Sequence, residues 1–219
     1  MEAELKHEVE EPKKPRLFGM IANPSEQFER IKQQPKIWVP LLLVSLLFTV
    51  GMIITALSMD PAYLGIEDLS PAEQDMMYMF SLITFVIMGI ISPVFTVLIS
   101  SAIYLLICKI ASSDVSFKQL FSMNTYILVI SVIGLILNGV IRMIIGGNPE
   151  LNVTSLAAVL NTEATSVWAS IEVFSIWQTI LVGLGLHKVA GLSKGVAYGI
   201  AIAFFIISLV FALVASTVV

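Results

Sequence analysis

Residues 76–108, MMYMFSLITFVIMGIISPVFTVLISSAIYLLIC, carry no charged side chain from end to end. As a helix rising 1.5 Å per residue this run extends about 50 Å, well beyond the ~30 Å hydrocarbon core of a bilayer. Backbone N–H and C=O groups in lipid must be satisfied by the chain itself, which leaves helices and closed barrels. Barrel strands would alternate apolar and polar residues over about ten positions, and this run does not alternate. Four further stretches join it, at 37–59, 119–141, 164–187 and 195–219, and among the five only 164–187 is interrupted by an acid or base, Glu172. The expected fold is all-α: a polytopic integral membrane protein built as a bundle of five transmembrane helices.

The charges between the stretches are sorted by sign. Lys6, Lys13, Lys14, Arg16, Arg30, Lys32 and Lys36 precede the first; Lys109 and Lys118 follow the second; Lys188 and Lys194 follow the fourth. The connection at 60–75 holds Asp60, Glu67, Asp68, Glu73 and Asp75 and no base, and Arg142 is the one exception to the pattern. Basic residues accumulate in cytoplasmic connections, so five crossings predict a multi-pass membrane protein with a cytoplasmic N-terminus and an extracytoplasmic C-terminus. A composition of 57% hydrophobic and 13% charged residues, with mean hydropathy +0.92, leaves too little polar surface for a water-soluble globule of 219 residues.

The leader divides in two. Residues 1–16 combine Glu2, Glu4, Glu8, Glu10 and Glu11 with Pro12 and Pro15, a composition that reads as a disordered cytoplasmic tail. Residues 17–36 read as an amphipathic membrane-surface segment: Asn23-Pro24-Ser25-Glu26 is a helix start, and Phe18, Ile21, Phe28 and Ile31 supply its apolar face. A helix packed under the bundle is the other reading of that face. Ser70-Pro71-Ala72-Glu73 starts the second long helix in the same way. Pro93 lies in the middle of it and predicts a kink; a re-entrant hairpin there is opposed by the positions of the later lysines.

Polar and small residues recur at helical spacing within the stretches. Asn124, Ser131 and Asn138 repeat every seven residues; Glu172, Ser175, Thr179, Gly183 and His187 repeat every three or four; Gly191, Gly195, Gly199 and Ala203 repeat every four. The small-residue series allows close backbone approach, either within the bundle or to a second membrane protein. The asparagines suit interhelical hydrogen bonds. Glu172 is costly in hydrocarbon and needs a partner, a proton or water, so it reads equally as a structural contact and as an ion or partner site.

Catalytic constellations are absent from the sequence. The histidines, His7 and His187, are isolated, no HExxH or GxSxG segment occurs, and Gly146-Gly147-Asn148-Pro149 lacks the Lys and Ser or Thr of a phosphate loop. No catalytic, metal or cofactor site is expected. Cys108 is the single cysteine, so an internal disulfide is excluded.

Three segments carry a family resemblance: NPSEQFERIKQQPKIWVP at 23–40, SFKQLFSMNTY at 116–126 and GLHKVAGLSKGVAY at 185–198. Through them the chain resembles bacterial members of the Yip1-domain family of multispanning membrane proteins. The resemblance implies a five-helix Yip1-like transmembrane domain over 37–219 and a role in organising other membrane proteins; it points to Asn124, Tyr126, Gly191 and Lys194. Eukaryotic relatives act in vesicle traffic with small GTPases, but this chain has no match to their acidic DLYGP-type segment, so that role does not carry over.

The expected function is therefore a non-enzymatic membrane scaffold or assembly factor, organising an export complex of ABC type or an envelope stress response. The alternative is a small-solute or ion transporter or channel subunit using Glu172 and the asparagines. The expected partners are other membrane proteins, among them transport-complex subunits, a second copy of the chain, and anionic lipid at the cytoplasmic face. Nucleic acid is excluded, because the leader bases are few and mixed with acids.

Overall fold

The computed structural model describes residues 13–59, 65–66, 68–146, 148 and 151–217; most of the acidic leader lies outside them. The described chain is all-α: α1 Gly19–Ala22, α2 Pro24–Gln33, α3 Trp38–Leu57, α4 Pro71–Ile110, α5 Phe117–Ile145, α6 Leu156–Leu160, a 3-10 turn Val167–Ser170, α7 Val173–Lys188 and α8 Lys194–Ser216. Local chemistry sets the starts. Asn23 accepts the Glu26 N–H on its side chain at 3.3 Å, with Pro24 in the first turn of α2. Ser70 donates both its N–H and its hydroxyl to the Glu73 carboxylate, at 2.9 and 2.6 Å, at the head of α4. At the head of α5 the bonds are reciprocal: the Ser116 N–H donates to Gln119 Oε1 at 2.9 Å and Ser116 Oγ accepts the Gln119 N–H at 3.3 Å.

Helix α5 is the post around which the others stand. Every residue from Leu120 to Ile130 is buried, enclosed by α3 and α4, by α7 and, across its N-terminal end, by α1 and α2. Leaving lipid for a helix interface brings little hydrophobic gain, so close packing must hold these helices together. The glycines make it possible. A Cβ at Gly89 would lie 2.7 Å from the Thr49 backbone, where α4 crosses α3; one at Gly134 would strike the Phe174 ring of α7; one at Gly183 would strike Tyr198 of α8. Helix α4, 40 residues long or about 60 Å, runs unbroken through Pro93, so the hairpin alternative is not adopted. It buries Gly89, Pro93, Val97, Ser101, Tyr104 and Cys108 along one stripe, and none of its residues before Gly89.

The expectation of five spanning helices is corrected. Among the described residues four helices are long and apolar enough to cross a bilayer: α3, α4, α5 and α8. The stretch at 164–187 does not form one helix. Its first part folds into turns and the 3-10 segment, and α7 begins only after Glu172 and runs 16 residues, about 24 Å, short of a ~30 Å core. The physical reason is Glu172 itself. Its carboxylate accepts the Ser175 N–H at 2.9 Å as the cap of α7, and its chain neighbours pair with the α5–α6 connection, Leu156 N–H to Ile171 C=O at 2.8 Å. Placing the two termini on opposite sides of the membrane depended on an odd number of crossings and falls with the fifth.

The leader is drawn into the protein. Phe28 and Ile31, expected toward lipid, are instead enclosed against α5 and α7, while Phe18 and Ile21 face outward. Arg16 N–H donates to Gln27 Oε1 at 2.7 Å and Tyr126 Oη to the Pro15 carbonyl at 3.1 Å, so the irregular segment before α1 is tied both to α2 and to α5.

Gly89→Leu should separate α3 from α4, since its side chain has to enter space held by Thr49 backbone. Unfolding in mixed micelles, followed by circular dichroism, should show a loss of about 2 kcal/mol or more for this variant. An unchanged transition would contradict the crossing.

Candidate functional site: the polar contacts of the central helix

The seven-residue series on α5 is interior, as its spacing suggests, but its members do not converge. Asn124 donates to Ser101 Oγ of α4 at 2.9 Å. Ser131 donates to Gln178 Oε1 of α7 at 2.8 Å. Asn138, near the far end, meets Thr154 of the α5–α6 connection. Each polar group joins α5 to a different neighbour, and buried Ile127, Leu128, Ile130 and Val132 lie between these levels.

The Asn138 level holds the most polar cluster. The Thr154 hydroxyl has one proton, and the Glu172 carboxylate is the strongest acceptor beside it, so the consistent direction is a relay. Asn138 Nδ2 donates to Thr154 Oγ1 at 2.9 Å, Thr154 Oγ1 donates to Glu172 Oε1, and Asn138 Oδ1 accepts the Thr154 N–H at 3.1 Å. Glu172 thus spends both oxygens, one on Thr154 and one on the Ser175 N–H, and sits at the positive end of the α7 dipole. Ser175 Oγ returns to the Glu172 carbonyl at 2.7 Å, and Thr179 Oγ1 donates to the Ser175 carbonyl at 2.8 Å. Arg142 is buried one turn beyond Asn138. It donates through Nη2 to the Leu151 carbonyl at 3.3 Å, and its Nε has no acceptor among the described residues.

At the opposite end the three segments that carry the family resemblance come together. Gln119 Nε2 donates to the Lys32 carbonyl and Ser122 Oγ to the Lys36 carbonyl, both at 2.8 Å. Lys188 at the end of α7 pairs with Glu29 of α2 at 2.7 Å. The hydrogen bond and the charge of Lys188 hold the Glu29 carboxyl below its ordinary value of 4.5, so this pair persists at neutral pH and is lost only as pH falls through that lowered range. Gly191 has φ +72 in the α7–α8 turn, a left-handed conformation that suits glycine, and His187 Nδ1 lies 2.7 Å from the Leu192 carbonyl in the same turn. Lys194 opens α8 and is exposed.

The small series on α8 faces away from the bundle. Ala197 and Ala201 are buried, whereas Gly195, Gly199 and Ala203 are exposed, and a Cβ at Gly195 or Gly199 would meet nothing within 4 Å. Thr154, Ser101, Gln178 and Ser122 are partners that sequence reasoning missed. Each is a single hydroxyl or amide without a periodic signature, found only once its partner is placed: a residue of α5 for Thr154, Ser101 and Gln178, and the Lys36 carbonyl for Ser122, itself on α5. Among the described residues no group of three His, Cys, Asp or Glu side chains could hold a metal ion.

Thr154→Val deletes the middle of the relay without changing shape, and should cost about 1–3 kcal/mol by leaving Glu172 Oε1 without its donor and removing one of the Asn138 bonds. Glu172→Gln should be tolerated better than Glu172→Leu, because the amide keeps an acceptor for Ser175. Unfolding in mixed micelles reads both; Glu172→Leu as stable as the parent would contradict the capping role.

A family model for the Yip1 domain matches residues 18–216. The chain is similar to "Membrane protein YknW" of Bacillus subtilis (strain 168), 34% identical over 206 residues that cover 91% of this chain and 89% of that protein. No solved structure matches. A matched span that reaches from α1 to the end of α8 takes in the leader end, α5 and the turn at Gly191 alike, and the chain belongs to the Yip1-domain family as a multi-pass bacterial membrane protein.

Proposed function

We propose that this protein is a non-enzymatic scaffold or assembly factor that organises other membrane proteins, in its finer role supporting an export complex of ABC type. The observation that carries this reading is the disposition of α8. It is the least enclosed of the four long helices, with Ala197 and Ala201 alone buried, and its smallest residues face outward. Lipid exposure by itself gives a helix no reason to present Gly195, Gly199 and Ala203, whereas a second transmembrane helix packs closest on such a strip. Gly199 is the centre of the proposed contact.

The transporter reading is less well supported. Asn124, Ser131 and Asn138 are each consumed by a neighbouring side chain, and packed aliphatic residues separate their levels. Glu172 is likewise committed to Thr154 and the head of α7.

Gly199→Leu should leave the isolated protein folded, because the position is exposed and an added Cβ meets nothing within 4 Å, and should reduce recovery of membrane partners at least ten-fold. Purification of the full chain from native membranes in mild detergent, with partners identified by mass spectrometry, reads the second effect; circular dichroism reads the first. Full partner recovery with Leu at 199 would exclude this surface.

A further inference from the structure

The structure assigns a binding site for an anionic phospholipid headgroup to the leader end of the bundle. A recess of about 530 Å³ opens there between the leader, the first turn of α3 and the first turn of α5, and Lys14, Lys36 and Lys118 line it. That volume lies within the range of small-ligand sites, roughly 300–1,000 Å³. Its remaining walls are apolar or aromatic, among them Ile37, Trp38, Val39 and Tyr126, and no acid among the described residues contributes. All three lysines are exposed, and none forms an ion pair among the described residues, in contrast to Lys188.

The cradle is fixed in place. The Lys14 carbonyl accepts from Arg30 Nη1 at 3.1 Å, the Pro15 carbonyl from Tyr126 Oη at 3.1 Å, and the Lys36 carbonyl from Ser122 Oγ at 2.8 Å. Lys118 stands in the first turn of α5 beside the Ser116 cap. Backbone is therefore held by hydrogen bonds at Lys14 and Lys36 and by the helix at Lys118, while the ammonium groups pair with no acid among the described residues, an arrangement that meets a phosphate without first breaking an ion pair.

Position selects lipid over a soluble anion. Both α3 and α5 begin at this recess, so it lies at the hydrocarbon boundary whichever way the bundle is oriented. Trp38 is 81% and Val39 69% exposed on its rim, an indole and an aliphatic chain placed as interfacial and acyl-chain contacts. Lysines at such a boundary keep their ammonium groups at phosphate level while their stems lie along apolar surface. The match is an anionic head above and a hydrocarbon tail beside Trp38 and Val39.

Native mass spectrometry of the full chain in mild detergent, with phosphatidylglycerol and phosphatidylcholine added in equal amounts, tests this. The expected result is a preference for phosphatidylglycerol on the order of five-fold or more, since each lysine near a headgroup contributes roughly that factor. Lys36→Gln with Lys118→Gln should reduce the preference at least five-fold, leaving Lys14 as the one cation in the recess. Lys109→Gln with Lys194→Gln removes the same charge outside the recess and should preserve it, and millimolar glycerol 1-phosphate should not displace the bound lipid. Equal binding of the two lipids, equal loss in both double variants, or displacement by glycerol 1-phosphate would overturn the assignment. Circular dichroism confirms that each variant is folded.

Discussion

A polar side chain inside a helical membrane bundle has to be satisfied by protein, and in this protein one helix carries most of that obligation. Helix α5 brings Asn124, Ser131 and Asn138 into the interior at three levels and gives each to a different partner. Those bonds settle its neighbours. Ser101 orients α4, Gln178 orients α7, and Thr154 draws the α5–α6 connection against the end of the bundle. Between the levels, aliphatic side chains and glycine contacts supply the dispersion that replaces the hydrophobic drive of a water-soluble core.

The same constraint explains what stays outside. Helices α4 and α8 are long and apolar, but α4 buries one stripe and α8 two alanines, so most of their surface is left to lipid or to other proteins. The two ends differ in character. The leader end is basic, with Lys14, Lys36 and Lys118 exposed over a tightly tied backbone, whereas the far end is a closed network around Glu172 with a buried arginine beside it. An interior of this kind suits a protein whose function lies on its surface.

Much of this was legible in the sequence. The capped starts at Asn23, Ser70 and the interior stripe of α5 follow from capping chemistry and seven-residue spacing. What misled was the run at 164–187, where hydropathy suggested a span and a single Glu marked its true boundary. A carboxylate three residues before Ser175 is a helix cap as readily as an intramembrane charge, and the pairing with Thr154 that decides between them joins residues 18 positions apart with no periodic relation. Phe28 and Ile31 misled in a related way, since an amphipathic face fits protein and lipid equally well. The Gly195–Gly199–Ala203 series was visible, but its direction depended on Ala197 and Ala201 taking the inner face. The lysine recess was not legible, because its three cations come from the leader, the start of α3 and the start of α5.

The central claim is that the interior is a packed support with no passage through it. Reconstitution of the purified protein into liposomes loaded with a pH-sensitive dye, under an imposed potassium diffusion potential, tests that most directly. The account predicts proton entry no faster than in protein-free liposomes. Entry above that level that disappears in Asn138→Leu or Glu172→Leu would contradict it.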